Sequence, residues 1–349
     1  MDAAVSEKTN RRKLLYTAEF LDWAGEQGLH EEDVLPPSEA TLCNYAALFA
    51  GKLAGGTTRA KLSAVKSWVQ RRGLVWNGRD SLRNVLSGVE RRAPSSSFRE
   101  QRPPVKKEHL SILFDELDLS DACGLDRALA AASAGCFYSQ LRGGEIFPPS
   151  ADPNDYDSSS FPTVKDLRPP NKNGDRKLKL PKTKVSQSRG EEVIYSPQPG
   201  RTSPTRAWRE HIRVNRLGPD DPLMAYREDN GELKVLTKPT FLKRCNAVWS
   251  KHNIPRMTGH CFRIGGTTHY LVIGIPPDVV KALGRWKSDA FLRYWRDLES
   301  LASIHLHLTF RLPNAHTART LHTSSRPILP SFYHSVFHFT AKSDWPAQL

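Results

Sequence analysis

The sequence holds little cysteine and none of it in pairs. Cys43, Cys123, Cys136, Cys245 and Cys261 are scattered, odd in number and without a Cys-x-x-Cys. That excludes a disulfide framework or a zinc ribbon and fits a reducing compartment. Long apolar runs are also missing: no stretch is long enough to span a bilayer, and no secretory leader is recognisable. The expectation is a soluble intracellular protein, nuclear if its source is eukaryotic, with no membrane partner. Acid is the third shortage. Asp and Glu number 37 against 51 Lys and Arg, a formal charge of +14. Such a balance suits a polyanionic partner, nucleic acid first. No internal repeat is visible, and 349 residues are enough for two domains.

What is present begins with helices. Residues 1–95 read as a small all-helical domain. Lys13 to Gln27 carries Leu14, Leu15, Phe20, Leu21 and Trp23 in a helical stripe, and a second helix follows Pro37 and Ser38 through Leu42, Tyr45, Leu48 and Phe49. A third starts near Thr57 or Thr58, with Leu62, Val65, Trp68 and Val69 at helical spacing. It also carries Arg59, Lys61, Lys66, Arg71 and Arg72. These cations form either a solvated face or a surface for DNA phosphates. Asp80 is expected to cap a fourth helix, Ser81 to Arg91.

Residues 96–106 lie in a stretch of serines, paired prolines and charges that reads as a linker. A second domain is expected over 107–305. Helices are expected at Lys107–Leu117, Asp126–Tyr138, Pro204–Arg216 and Thr240–His252, the last with Phe241, Leu242, Val248 and Trp249 inward and Lys243 and Arg244 outward. Residues 149–161 read as a polar loop. Thr163–Leu167, Arg176–Leu180 and Glu191–Tyr195 read as short strands, and Lys182 and Lys184 sit at the tip between the last two. Residues 306–349 mix His, Ser, Thr, Pro and isolated aromatics without period and read as a tail.

The chemistry-bearing stretch is Met257–Arg296. His260 and Arg263, three apart on a helix, can face one anion. Gly265 and Gly266 make that helix either weak or closely packed. A short helix from Asp278 is expected to end at Gly284 as its C-cap. Ser288 then caps another helix, with Tyr294 in its second turn. The break matters because one straight helix would hold Gly284 and Tyr294 about 15 Å apart.

In chain order the sequence thus offers Arg142 with Glu145 three residues on, a lysine-tipped hairpin, His260-x-x-Arg263, Gly284-Arg285-Trp286, and Tyr294. This order resembles the tyrosine recombinase (phage integrase) family. The segments HCFR and GRWKSDAFLRYW look closest to the Crypton-type recombinases of eukaryotic mobile elements. The resemblance covers roughly residues 10–305. It implies a mainly α fold with a small antiparallel β-sheet: a helical core-binding domain and an α+β catalytic domain. It implies double-stranded DNA as partner, a homo-tetramer on DNA and no small-molecule substrate. It implies strand cleavage and rejoining through a 3′-phosphotyrosyl link that conserves bond energy, so that neither ATP, metal nor other cofactor is required. Tyr294 would be the nucleophile. Arg142 and Arg263 would offer planar cationic forks to the phosphate, and His260 a further donor or proton transfer. Glu145 would buttress. The hairpin lysine that protonates the leaving oxygen is Lys184 or, second, Lys182. The family's His/Trp position falls on Arg285 by spacing and on Trp286 by residue type. A catalytically decayed DNA-binding descendant is the alternative function.

Overall fold

The structure, a computed structural model, describes residues 5–98, 100–288 and 291. Tyr294, the helix expected around it and the tail lie outside the described residues. The chain divides into two compact units, Met1–Arg102 and Pro103–Leu349.

The first unit is helical: α1 (Glu7–Glu26), α2 (Glu31–Val34), α3 (Glu39–Ala47), α4 (Gly55–Arg71) and α5 (Asp80–Arg91). Ser6 starts α1, earlier than the apolar stripe suggests, because its hydroxyl accepts the Thr9 N–H. Phe20, Leu42, Tyr45, Leu62, Val65, Val69 and Leu82 fill the core. The cap of α5 differs from expectation. Asp80 is inside the helix, and the helix start is satisfied from α3 instead. The Glu39 carboxylate accepts the N–H of Arg79 (2.8 Å) and of Leu82 (3.1 Å). The Leu82 hydrogen bond leads the causes that hold the Glu39 carboxyl below its ordinary pKa.

The second unit contains α6 (Lys107–Glu116), α7 (Gly124–Tyr138), α8 (Gly143–Ile146), β1 (Arg176–Leu180), β2 (Glu191–Tyr195), α9 (Pro204–Val214), β3 (Ala225–Arg227), β4 (Leu233–Val235), α10 (Lys238–Lys251), α11 (Gly259–Val272) and α12 (Pro277–Leu283). Helix α7 is the hub. It is apolar on every side, and every residue from Ala128 to Tyr138 is buried. Helix α11 meets it at Gly266, where a Cβ would run into the backbone of Phe137, and at Gly265 it meets the segment before α6, where a Cβ would run into the backbone of Val105. The paired glycines therefore serve close packing. Val105, expected in the linker, is fully buried and donates its N–H to the Cys261 carbonyl (3.0 Å).

Strands β1 and β2 pair antiparallel, with Leu178 opposite Val193 and Leu180 opposite Glu191. Leu178, Leu180, Val193 and Tyr195 face the core while Lys177, Lys179, Glu192 and Ile194 face out, the period-two pattern of a half-buried ladder. The expected strand Thr163–Leu167 is instead a 3₁₀ turn, Val164–Asp166, with a single bridge at each end. Asp166 causes this: its carboxylate accepts both the N–H (2.9 Å) and the hydroxyl (3.0 Å) of Thr163. A second hairpin, β3–β4, was not expected. Arg244, expected outward, reaches back to the buried Asp126 in a two-pronged pair at 3.0 and 2.6 Å.

Candidate active site

Two arginines of the pattern, Arg142 and Arg285, are delivered where a helix breaks, and the third, Arg263, from within α11. Helix α7 ends at Tyr138, and Gln140 adopts a left-handed backbone, φ 49°, that turns the chain before α8. Arg142 is the N-cap of α8. Glu145 folds back over it, accepting the Arg142 backbone N–H at 2.9 Å and its Nη1 at 2.8 Å. This local reach explains the Arg-x-x-Glu spacing.

Arg285 meets the same carboxylate from the end of α12. Its Nη2 lies 2.7 Å from Glu145 Oε2 and its Nη1 3.3 Å from Oε1, while Nη1 is also 3.0 Å from Glu191 Oε2. Burial alone would raise the Glu145 pKa. The Arg285 charge and the hydrogen bonds from Arg285 and Arg142 outweigh it and hold the carboxyl below its ordinary range.

Arg263 is fully buried. Its Nη1 donates to the Gln140 carbonyl and its Nη2 to the Gly284 carbonyl. The Trp286 ring covers the guanidinium, 4.0 Å from Cζ to centroid, a cation–π contact. The Trp286 indole N–H is aimed at Gln140 Oε1 (3.4 Å), which also accepts from the Thr267 hydroxyl (2.7 Å). His260 is half-buried in the first turn of α11, three residues before Arg263.

Gly284 departs from its expected role. Its backbone is right-handed, φ −76°, and Arg285 at φ 54° takes the left-handed position. Arg285 N–H reaches the Ala282 carbonyl (2.9 Å) and Trp286 N–H the Lys281 carbonyl (3.0 Å), the paired bonds of a Schellman cap. Glycine is required at 284 for contact. A Cβ there would strike the Trp286 indole and Gln140 Oε1.

The structure thus brings together Arg142, Glu145, Arg263, Arg285 and Trp286. It adds two members that sequence reasoning missed. Gln140 stands two residues from Arg142 in an already suspect stretch, and that proximity was its signal. Glu191 carried none, being one of two acids at the start of a strand. Arg142 and Arg285 share the two carboxylates of Glu145 and Glu191, while the third guanidinium, Arg263, is held by backbone carbonyls instead. Lys182 and Lys184 are exposed on the β1–β2 loop. Among the described residues, neither lysine makes an ion pair with this cluster. Between Trp286 and Tyr294 the described residues are Lys287, Ser288 and Phe291, and Phe291 is buried.

On the first unit, the cations of α4 separate into two kinds. Lys66 is exposed; Arg59 is exposed and 2.9 Å from Glu90. Arg72 is exposed and stacks on Trp68 at 4.6 Å, and half-buried Arg71 donates to Asn10 Oδ1 at 3.3 Å. Lys61 differs. It is only 8 % exposed, paired with Glu19 and set over the rings of Tyr16 (4.6 Å) and Phe49 (5.2 Å). Its ammonium belongs to the domain's own packing rather than to a solvent-facing stripe.

Among the described residues no group of His, Cys, Asp and Glu could hold a metal ion, and no helix is long and apolar enough to cross a membrane.

No protein-family model matches the sequence, and no curated protein matches it. Solved structures do. The XerH site-specific recombinase, in a post-cleavage complex with palindromic difH substrate, matches with a TM-score of 0.50 at 15 % identity, covering 77 % of this chain and 72 % of that one. The Tn1549 transposon integrase, in complex with transposon right-end DNA, matches with a TM-score of 0.49 at 14 % identity, covering 88 % and 95 %. The chain has the fold of the tyrosine recombinases, mainly helical with small antiparallel sheets, here two hairpins.

Proposed function

We propose that the protein is a DNA strand-transferring enzyme that cuts and rejoins through a tyrosine. One observation carries the reading. Arg263 bonds the carbonyl of Gln140, two residues from Arg142, so two guanidiniums distant in sequence are tied to one loop in a chain with this fold. A phosphodiester undergoing displacement spreads charge over its non-bridging oxygens, and fixed planar cations stabilise that charge.

In this reading Tyr294 attacks phosphorus and the bond to the 5′-oxygen breaks. A lysine of the β1–β2 loop, Lys184 or Lys182, supplies the proton that the leaving oxygen takes up. Arg142 and Arg263 hold the phosphate, and His260 donates a hydrogen bond or moves a proton. Glu145 orients Arg142, and Trp286 covers Arg263. Double-stranded DNA is the partner, with Lys66, Arg59, Arg71 and Arg72 as phosphate contacts on the first unit and a homo-tetramer as the assembly on DNA. A nicked suicide duplex tests this: a covalent adduct is expected, and Tyr294→Phe should abolish it. An adduct that persists in the Phe variant moves the nucleophile elsewhere.

A specific observation favours a second reading. The Arg263 guanidinium is fully buried beneath Trp286 and bonded to two backbone carbonyls, as in a site turned to structural use. A decayed, DNA-binding descendant predicts salt-sensitive DNA binding with no adduct from any duplex.

A further inference from the structure

We infer that Arg285 is a positioning residue, which through Glu191 fixes the lysine-bearing β1–β2 loop against the arginines that hold the phosphate. The inference rests on the strand-cleavage reading above and deepens it.

The loop has internal structure. Thr183 is buried, its N–H donates to the Ser186 carbonyl at 2.9 Å, and its hydroxyl accepts the N–H of Val185 (3.3 Å) and Ser186 (3.0 Å). Gln187 Nε2 closes the turn on the Thr183 carbonyl at 3.1 Å. Lys184 therefore rides on a hydrogen-bonded turn. Gly190, at φ 67°, pinches the base, where a Cβ would strike the Leu180 and Pro181 carbonyls. A turn closed at tip and base moves with its anchor, and the next residue, Glu191, is that anchor.

Glu191 is held by Arg285, and Arg285 is held by its own backbone. The Schellman bonds fix its left-handed position, and its side chain is 9 % exposed. Its two terminal nitrogens are given to Glu145 and Glu191. It therefore joins an unbroken series: the Lys184 turn, Glu191, Arg285, Glu145, Arg142. With both ends of its fork occupied by carboxylates, it acts on the phosphate through these neighbours. An arginine suits the task because its planar fork presents donors in fixed directions to both carboxylates, whereas a lysine offers one point charge on a flexible stem.

The proton step gives the test. An alkoxide leaving group must take a proton as the phosphorus–oxygen bond breaks and its electron pair goes to oxygen. A thiol has a pKa of about 8.5, so a thiolate leaves without one. Glu191→Gln and Arg285→Lys are compared with the unmodified protein on two nicked duplexes, one with an ordinary 5′-oxygen and one with sulfur bridging at that position. General-acid catalysis contributes on the order of a hundredfold or more. Glu191→Gln is expected to form adduct at least about tenfold more slowly on the oxygen duplex and within about threefold of the unmodified rate on the sulfur duplex; Arg285→Lys, which also loosens Glu145 and with it Arg142, should slow on both duplexes, but at least about threefold more on the oxygen one. Lys184→Ala should show the Glu191→Gln pattern. Equal slowing on both duplexes, or no slowing on either, overturns the inference and leaves the strand-cleavage reading standing. No adduct from the unmodified protein on either duplex sinks both.

Discussion

Replacing Glu145 with glutamine separates charge from shape at the centre of the site. The side chain is 4 % exposed and receives four donors: the Arg142 backbone and Nη1, and both terminal nitrogens of Arg285. Glutamine keeps one oxygen but turns an N–H₂ towards a guanidinium, so donor faces donor. Breaking a buried ion pair from one side costs about 3–5 kcal/mol. The lower end applies here, because Arg285 keeps Glu191 as a partner and Arg142, 26 % exposed, can turn to water. A loss of about 3 kcal/mol lowers Tm by roughly 6–12 °C for a unit of this size, which calorimetry at pH 7 can read.

The pH dependence follows from the same contacts. The Glu145 carboxyl is held below its ordinary range. Its contribution is therefore complete above the unfolded carboxyl pKa of about 4.3 and is lost as pH falls through the folded value. The gap between the two proteins should be widest near neutrality and close at acid pH. A Tm within about 2 °C of the unmodified protein at pH 7 would refute the reasoning, since less than about 1 kcal/mol would then rest on the carboxylate.

Other outcomes follow from single contacts. Gly266→Ala drives a methyl into the Phe137 carbonyl across two packed helix backbones and should cost about 3 kcal/mol or more; Gly144→Ala, where the space is open, is the control by thermal melting. Glu39→Gln removes the carboxylate that caps α5. Because that carboxyl is held low, the variant should melt below the unmodified protein at pH 7, the difference shrinking as pH drops below the carboxyl range. Lys66→Gln should reduce the slope of log affinity for duplex DNA against log salt by about 1. Lys61→Met, its ammonium already paired with Glu19, should leave that slope unchanged while altering thermal stability.

What was legible in the sequence was local. Arg142 and Glu145 are three residues apart, so spacing alone puts guanidinium and carboxylate in reach, and the structure joins them at 2.8 Å. The bounds of β1 and β2 were legible as well, and in β1 the alternating leucines and lysines mark which face is buried. Lys61, grouped in the sequence with the other cations of its helix, had a signal that went unread: it precedes Leu62 and stands one turn before Val65, at the edge of the apolar stripe, where an ammonium on a long stem can be drawn inward. The β3–β4 hairpin had its signal in Asn230-Gly231, with Gly231 at φ 83°. What could not be read was the use made of distant partners. Nothing local in Glu39 foretells that it caps a helix forty residues on, and nothing in Glu191 foretells Arg285. The same holds for the glycine before Arg285. A capping motif predicts a left-handed backbone there, yet the left-handed residue is the arginine, at a strain of about 1 kcal/mol or more. The glycine answers to the Trp286 ring and Gln140, a demand that exists only once α7, α11 and α12 have met. Local sequence rules fail where tertiary partners decide a residue's identity. Outside the Glu39 cap, several residues whose identity is set by a neighbour in space, Glu191, Gly284 and Arg285 among them, meet at this junction.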